Sequence, residues 1–157
     1  HNKYKVITQT NLISIPKGSE VLISFGEIDC RSNEGFVTAT AKLKQPTQEL
    51  IASTVIGYLK WFSEQNKTHN HNLHFLNVPA PLYNKKYSTS INRGVANNVA
   101  LFNAKIAQHI VRHGFNLIDV FAFTVDQDGF SNSQFHIDTT HLGPKAIPEI
   151  ERQLNNS

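Results

Sequence analysis

This chain of 157 residues has a single cysteine, Cys30, a single tryptophan, Trp61, and no methionine. One cysteine cannot form an intrachain disulfide, so oxidation does not hold the fold together. That favours a reducing compartment, with the cytoplasm as the expected location. No stretch approaches the ~18 consecutive apolar residues of a membrane span, and the N-terminal HNKYKVITQT has no signal-peptide core. The absence of methionine, with His1 in first position, leads us to expect a piece of a longer reading frame. Charge of one sign is also scarce. The net charge is +3 and the isoelectric point is near 9.0, with Lys and Arg scattered along the chain. The densest basic spot, Lys85-Lys86, is too small for a nucleic-acid footprint. No repeat or low-complexity tract interrupts the sequence.

What is present suits one globular domain spanning residues 1–157. Hydrophobic residues make up 39% of the chain, enough for a core. The apolar run Val21 to Phe25, after the turn signal Pro16-Lys17-Gly18-Ser19, reads as a buried parallel strand ending at Gly26. A polar stretch from Glu27 to Gln45 follows. Pro46-Thr47 then opens a helix with Thr47 as its expected N-cap. Its apolar face is Leu50, Ile51, Val55, Tyr58, Leu59 and Phe62, and it fades through residues 66–72. Leu73 to Val78 reads as a second strand, stopped by Pro79-Ala80-Pro81. After a polar segment, Tyr83 to Arg93, Val95, Val99, Phe102, Ile106 and Ile110 form the stripe of a second long helix, with Gly114 suited to its left-handed end. Phe115 to Phe121 reads as a third strand interrupted by Asp119. Asp126 to Gly129 reads as a turn, and Ile147, Ile150 and Leu154 mark a final helix. Strand and helix alternate three times, which predicts an α/β sandwich with a mostly parallel sheet. Sites in such folds lie beyond the carboxyl ends of the strands. That rule selects Gly26 to Arg31, Asn77 to Pro81, and the stretch from Asp119 to His141.

Two of these regions carry chemistry. In FHIDTTHLGP, Asp138 and His141 stand three apart just before the last helix. A carboxylate bonded to one imidazole nitrogen fixes the tautomer and stabilises the imidazolium formed when the other nitrogen takes a proton. The competing reading is a capping aspartate beside a surface histidine. Gly26-Glu27-Ile28-Asp29-Cys30-Arg31 follows a buried strand. Gly26 allows close approach to the backbone and offers its N–H to an oxyanion. Asp29 and Arg31 either grip a polar substrate or brace the loop as an ion pair.

Phe25-Gly26-Glu27-Ile28-Asp29 resembles the G-x-N-D block of the SGNH, or GDSL-type, hydrolases, and Asp138-Thr139-Thr140-His141 resembles their final D-x-x-H block. Asn77 to Pro81 and Phe115 to Val120 stand where that family has its intervening strands, so the resemblance runs from about Val21 to Leu154. GEIDCR resembles a bacterial branch found with polysaccharide-related proteins. The resemblance implies a three-layer α/β/α, flavodoxin-like fold and esterase or acyltransferase chemistry on O-acyl groups, in the first place O-acetyl groups of a carbohydrate. It makes His141 the base, Asp138 its orienting acid and Gly26 part of the oxyanion site, with Asp29, Arg31 and Asn77 at the substrate rim. It calls for a small-molecule or glycan ester as partner; no cofactor is expected, and charge, hydropathy and the histidine pattern argue against nucleic acid, membrane and metal.

The chain departs from the family twice. Ile28 replaces the asparagine of G-x-N-D and cannot donate a hydrogen bond, a loss on the order of 3 kcal/mol of transition-state stabilisation. The serine block after the family's first strand is absent. Gly18-Ser19-Glu20 precedes a strand rather than following one, and Ser24 lies inside a strand. The expectation is therefore an SGNH-like domain missing its first strand and nucleophile. The alternatives are an inert domain that binds a glycan or protein partner, and an accessory module with structural contacts only. Other candidates are weaker. His69 and His71 lack an acidic co-ligand for a metal. Asp126 and Asp128 lack the rest of a calcium loop. Cys30 beside Arg31 is conceivable as a nucleophile, His136 could line the same pocket, and Trp61 reads as packing.

Overall fold

The computed structural model describes the backbone of residues 2–156 and the side chains of residues 5–156; His1 lies outside the described residues. Three parallel strands form one sheet in the order β1 (Glu20–Ser24), β2 (Asn72–Leu76), β3 (Asn116–Ile118). Around it lie α1 (Asn2–Ser14), α2 (Glu27–Cys30), α3 (Gly35–Leu43), α4 (Thr47–Asn66), α5 (Thr89–His109), α6 (Val120–Thr124) and α7 (Ile147–Leu154). Short 3-10 turns cover Ile110–His113 and Pro144–Ala146. The mixed α/β architecture with a parallel sheet is the one the alternating pattern predicts.

Register sorts the side chains. Ile23 pairs with Phe75 and Phe75 with Leu117, so these residues share a face with Val21 and Leu73. That face packs on the buried side of α4 (Ile51, Val55, Leu59, Phe62) and of α5 (Val99, Phe102, Ile106). Both helical stripes are thus the faces read from spacing. Phe25, at the exit of β1, packs edge-to-face on Tyr58, Phe75 and Phe102 at centroid distances of 4.8, 5.6 and 5.9 Å. Such pairs add about 0.5–1.5 kcal/mol beyond the area they bury. The other face carries Leu22, His74 and Asn116 in one row. Leu22 stays 46% exposed there, while His74 is buried and its Nε2 bonds to Glu20. Helix α1 is tied on through Leu12, which is buried in the core and whose carbonyl meets His71 Nε2 at 3.1 Å.

Several local expectations change. The stretch 27–45, read as polar connection, contains α2 and α3, and α1 was not anticipated at all. Thr47 is the first residue of α4, not its cap. Pro46 occupies the cap position, and the Thr47 hydroxyl lies 3.1 Å from that of Thr40 in α3. The third strand stops at Ile118 because Asp119 leaves the sheet and caps α6, accepting from the Ala122 N–H at 3.0 Å. Gly114 does close the second long helical segment at φ 70°, past the 3-10 turn.

The chain leaving β2 is held by buried side chains. Asn103 of α5 brackets Val78, accepting its N–H at 2.9 Å and donating to its carbonyl at 2.7 Å. Thr124 of α6 accepts the Ala80 N–H at 3.0 Å, and the Asn77 N–H goes to the Ile118 carbonyl at 3.3 Å. Pro79 and Pro81 have no N–H to satisfy. Replacing Asn103 by Leu strips two buried backbone groups of their partners. We expect a loss of about 2–4 kcal/mol, read as a lower urea midpoint at unchanged m-value.

Candidate active site

The rim beyond the carboxyl ends of the strands is built by three segments. The first is the turn after β1. Gly26 adopts φ 98°, and a Cβ there would collide with the Phe102 ring, so both backbone and space demand glycine. Its carbonyl accepts the Cys30 N–H that closes α2. Its own N–H has no backbone acceptor outside the strand ladder among the described residues.

The side chains behind Gly26 brace this turn. Asp29 accepts the Tyr58 hydroxyl at 3.0 Å, and burial raises its pKa above the usual aspartate range. Arg31 forms a fork, with Nη2 2.7 Å from Glu27 and Nη1 2.9 Å from Glu34. The alternative Asp29–Arg31 ion pair therefore does not form; Tyr58 holds Asp29, and Glu27 and Glu34 hold Arg31. Cys30 is 1% exposed, and burial pushes its thiol pKa well up, so the thiolate a nucleophile needs is suppressed. Ile28, where the G-x-N-D pattern has asparagine, is 51% exposed.

Asn77 is buried too. Its Nδ2 donates to Asp119 at 2.7 Å and its Oδ1 accepts the Phe121 N–H at 3.0 Å. The amide expected at the substrate rim instead joins the exits of β2 and β3.

The third segment is a hairpin through residues 135–143. His136 and Leu142 form an antiparallel bridge, the Ile137 N–H donates to the His141 carbonyl at 3.0 Å, and the Gly143 N–H to the Phe135 carbonyl at 2.6 Å. Asp138 sits at its bend with a divided role. Oδ1 accepts the N–H of Thr140 at 2.8 Å and of His141 at 2.7 Å, while Oδ2 lies 2.7 Å from His141 Nδ1. One carboxylate thus folds the turn and orients the ring. These bonds, the Thr140 N–H first, hold its pKa well below the usual aspartate range. With Nδ1–H on the carboxylate, the lone pair of Nε2 is the free one, and the side chain of His141 is 70% exposed. No hydrogen bond or ion pair among the described residues joins this pair to Gly26–Arg31, and no serine hydroxyl bonds to His141.

Contacts that spacing did not reveal include Tyr58, which read as part of the α4 stripe, and Ser131, whose hydroxyl lies 2.9 Å from His136 Nδ1. The Glu27–Arg31 pair at i,i+4 carried a signal that could have been read. The His69 and His71 rings stack at 5.5 Å, and no cluster of three metal-ligating side chains occurs among the described residues. No helix among the described residues is long and apolar enough to cross a membrane.

The architecture has solved counterparts. A phospholipase A1 from Streptomyces albidoflavus superposes with a TM-score of 0.61 at 14% identity, over 95% of this chain and 75% of its own. A GDSL-like lipase from Bacteroides thetaiotaomicron superposes with a TM-score of 0.55 at 17% identity, over 87% of this chain. This chain spans 60% of that lipase's length. No family model matches the chain, and no curated protein does. The chain therefore has the α/β/α fold found in a GDSL-like lipase, as the G-x-N-D and D-x-x-H resemblances imply.

Two outcomes follow. In a carbon-detected titration the Asp138 carboxylate remains ionised below the midpoint of unperturbed aspartates. Its support of the hairpin is complete above the unfolded value of about 3.9 and is lost only as the pH falls through its own lower value. A thiol reagent such as dithiobis(nitrobenzoate) labels Cys30 in denaturant and leaves it unmodified in the native protein.

Proposed function

We propose that this domain carries the acid/base half of an ester hydrolase or acyltransferase acting on O-acyl groups, with the O-acetyl groups of a carbohydrate as the favoured substrate. The observation that carries this reading is the 2.7 Å Asp138–His141 contact, which leaves Nε2 open on a fold shared with two lipolytic enzymes. A serine hydroxyl from a segment outside these residues adds to the ester carbonyl while His141 Nε2 takes its proton. Asp138 holds the ring and stabilises the imidazolium. The tetrahedral oxyanion is met by the Gly26 N–H. Collapse breaks the ester C–O bond, and the alcohol leaves with the proton from Nε2. Water or an acceptor hydroxyl then releases the acyl group by the same steps in reverse. Asp29, Arg31 and Asn77 serve this chemistry indirectly: the first two stiffen the Gly26 turn, and Asn77 locks the neighbouring strand exits.

The exposed Ile28 favours a second reading, an inert domain that binds its ligand without turnover, because it withholds one oxyanion donor. Assay of the full-length protein on p-nitrophenyl acetate decides. We expect His141→Ala to lower kcat/KM by about a thousandfold or more with the urea midpoint unchanged. Unchanged turnover in that variant overturns the assignment. A fluorophosphonate probe that labels a serine excludes the inert domain.

A further inference from the structure

Between the loop after β2 and the turn after α6 lies a cleft of about 470 Å³, within the roughly 300–1,000 Å³ of small-molecule pockets. We propose that it is the subsite that holds a neutral sugar ring of the substrate; the inference rests on the acyl-ester reading of His141.

The lining argues for this ligand class. Arg93 donates through Nη1 to the Asp128 carbonyl, 2.6 Å away, and its guanidinium lies 4.8 Å from the centre of the Phe130 ring. Nε and Nη2 have no acceptor among the described residues. Asp126 uses Oδ1 to accept the N–H groups of Asp128 and Phe130, both at 2.9 Å, which leaves Oδ2. The Asp128 carboxylate has no partner at all among the described residues. Tyr83 lines the same cleft, packs on Phe130 at 5.3 Å and is 45% exposed. Planar carboxylate and guanidinium groups with spare donors and acceptors, beside an open aromatic ring, suit vicinal hydroxyls and the C–H face of a sugar.

The same chemistry excludes other occupants. An acyl chain would desolvate three charged groups without replacing their hydrogen bonds. Two carboxylates against one guanidinium leave the cleft negative, which disfavours phosphate and uronate. A metal ion would meet the guanidinium that already occupies the Asp128 carbonyl. The location is also apt. Ser131, on the cleft wall, bonds to His136, and His136 bridges to Leu142 beside His141. A sugar held here is thus fixed relative to the hairpin that carries the base.

The test is an amide and Arg Nε–H NMR titration of the protein with cellotetraose, xylotetraose and mannotetraose, with trigalacturonate as the anionic control. We expect at least one neutral oligosaccharide to shift Arg93, Phe130 and Ser133 with a Kd below about 10 mM. Asp128→Ala should weaken it about tenfold, and His141→Ala should leave it unchanged. The inference is overturned if no neutral oligosaccharide binds, if trigalacturonate binds as well, or if Asp128→Ala has no effect. Sugar binding that persists while ester turnover ignores His141→Ala would sink the catalytic reading alone; esterase activity without sugar binding would sink this one.

Discussion

The structure depends on how the backbone leaving β2 disposes of its polar groups. This segment passes through the interior with α5 on one side and α6 on the other, where an unpaired N–H or carbonyl costs about 1–3 kcal/mol. Each donor has an assigned acceptor, and the two prolines remove two donors from the account. Asn103, Thr124 and the Ile118 carbonyl come from three different elements, so satisfying this segment also fixes α5, α6 and the end of β3 relative to the sheet. The rim of the candidate site is a by-product of that constraint.

Within this frame the acid/base pair is built locally. Asp138 folds the bend with one oxygen and orients His141 with the other, so the ring's position does not depend on a distant partner. That locality explains why both side chains can be exposed and still be ordered relative to each other. The turn after β1 is built in the opposite way, from distant parts. Tyr58 reaches Asp29 from α4, and Phe102 leans on Gly26 from α5.

Strong periodic signals were legible in the sequence. The apolar runs of β1 and β2, the stripes of α4 and α5, and the left-handed glycine at 114 all follow from burial or sterics that a single sequence displays. Weak helices were not. Helix α1, NKYKVITQTNLIS, has no regular apolar stripe, and it is held by tertiary contacts such as that of Leu12 with His71. Helices α2 and α3 are short and flanked by polar residues, so composition read them as a connection. Of the site, the Asp138–His141 spacing was visible because three residues suffice to close the bend. The partners of Asp29, Arg31 and Asn77 were not legible, for a common reason. Sequence position placed them at the rim, but whether a polar side chain faces the solvent or is already bonded depends on neighbours far along the chain.

The contact of Gly26 with Phe102 makes the turn after β1 and the aromatic core one mechanical unit. Phe25, Phe75 and Phe102 interlock, and the turn rests on the last of these rings. A substitution that shifts Phe102 on α5 therefore also disturbs the turn at Gly26. Conversely, a ligand pressing on the turn is felt in the helix seam. In such an arrangement, improving the core and retuning the site are not independent evolutionary moves. Changes at position 102 are constrained by whatever chemistry passes above Gly26, and this chain can drift in its surface polarity far more freely than in the shape of that one ring.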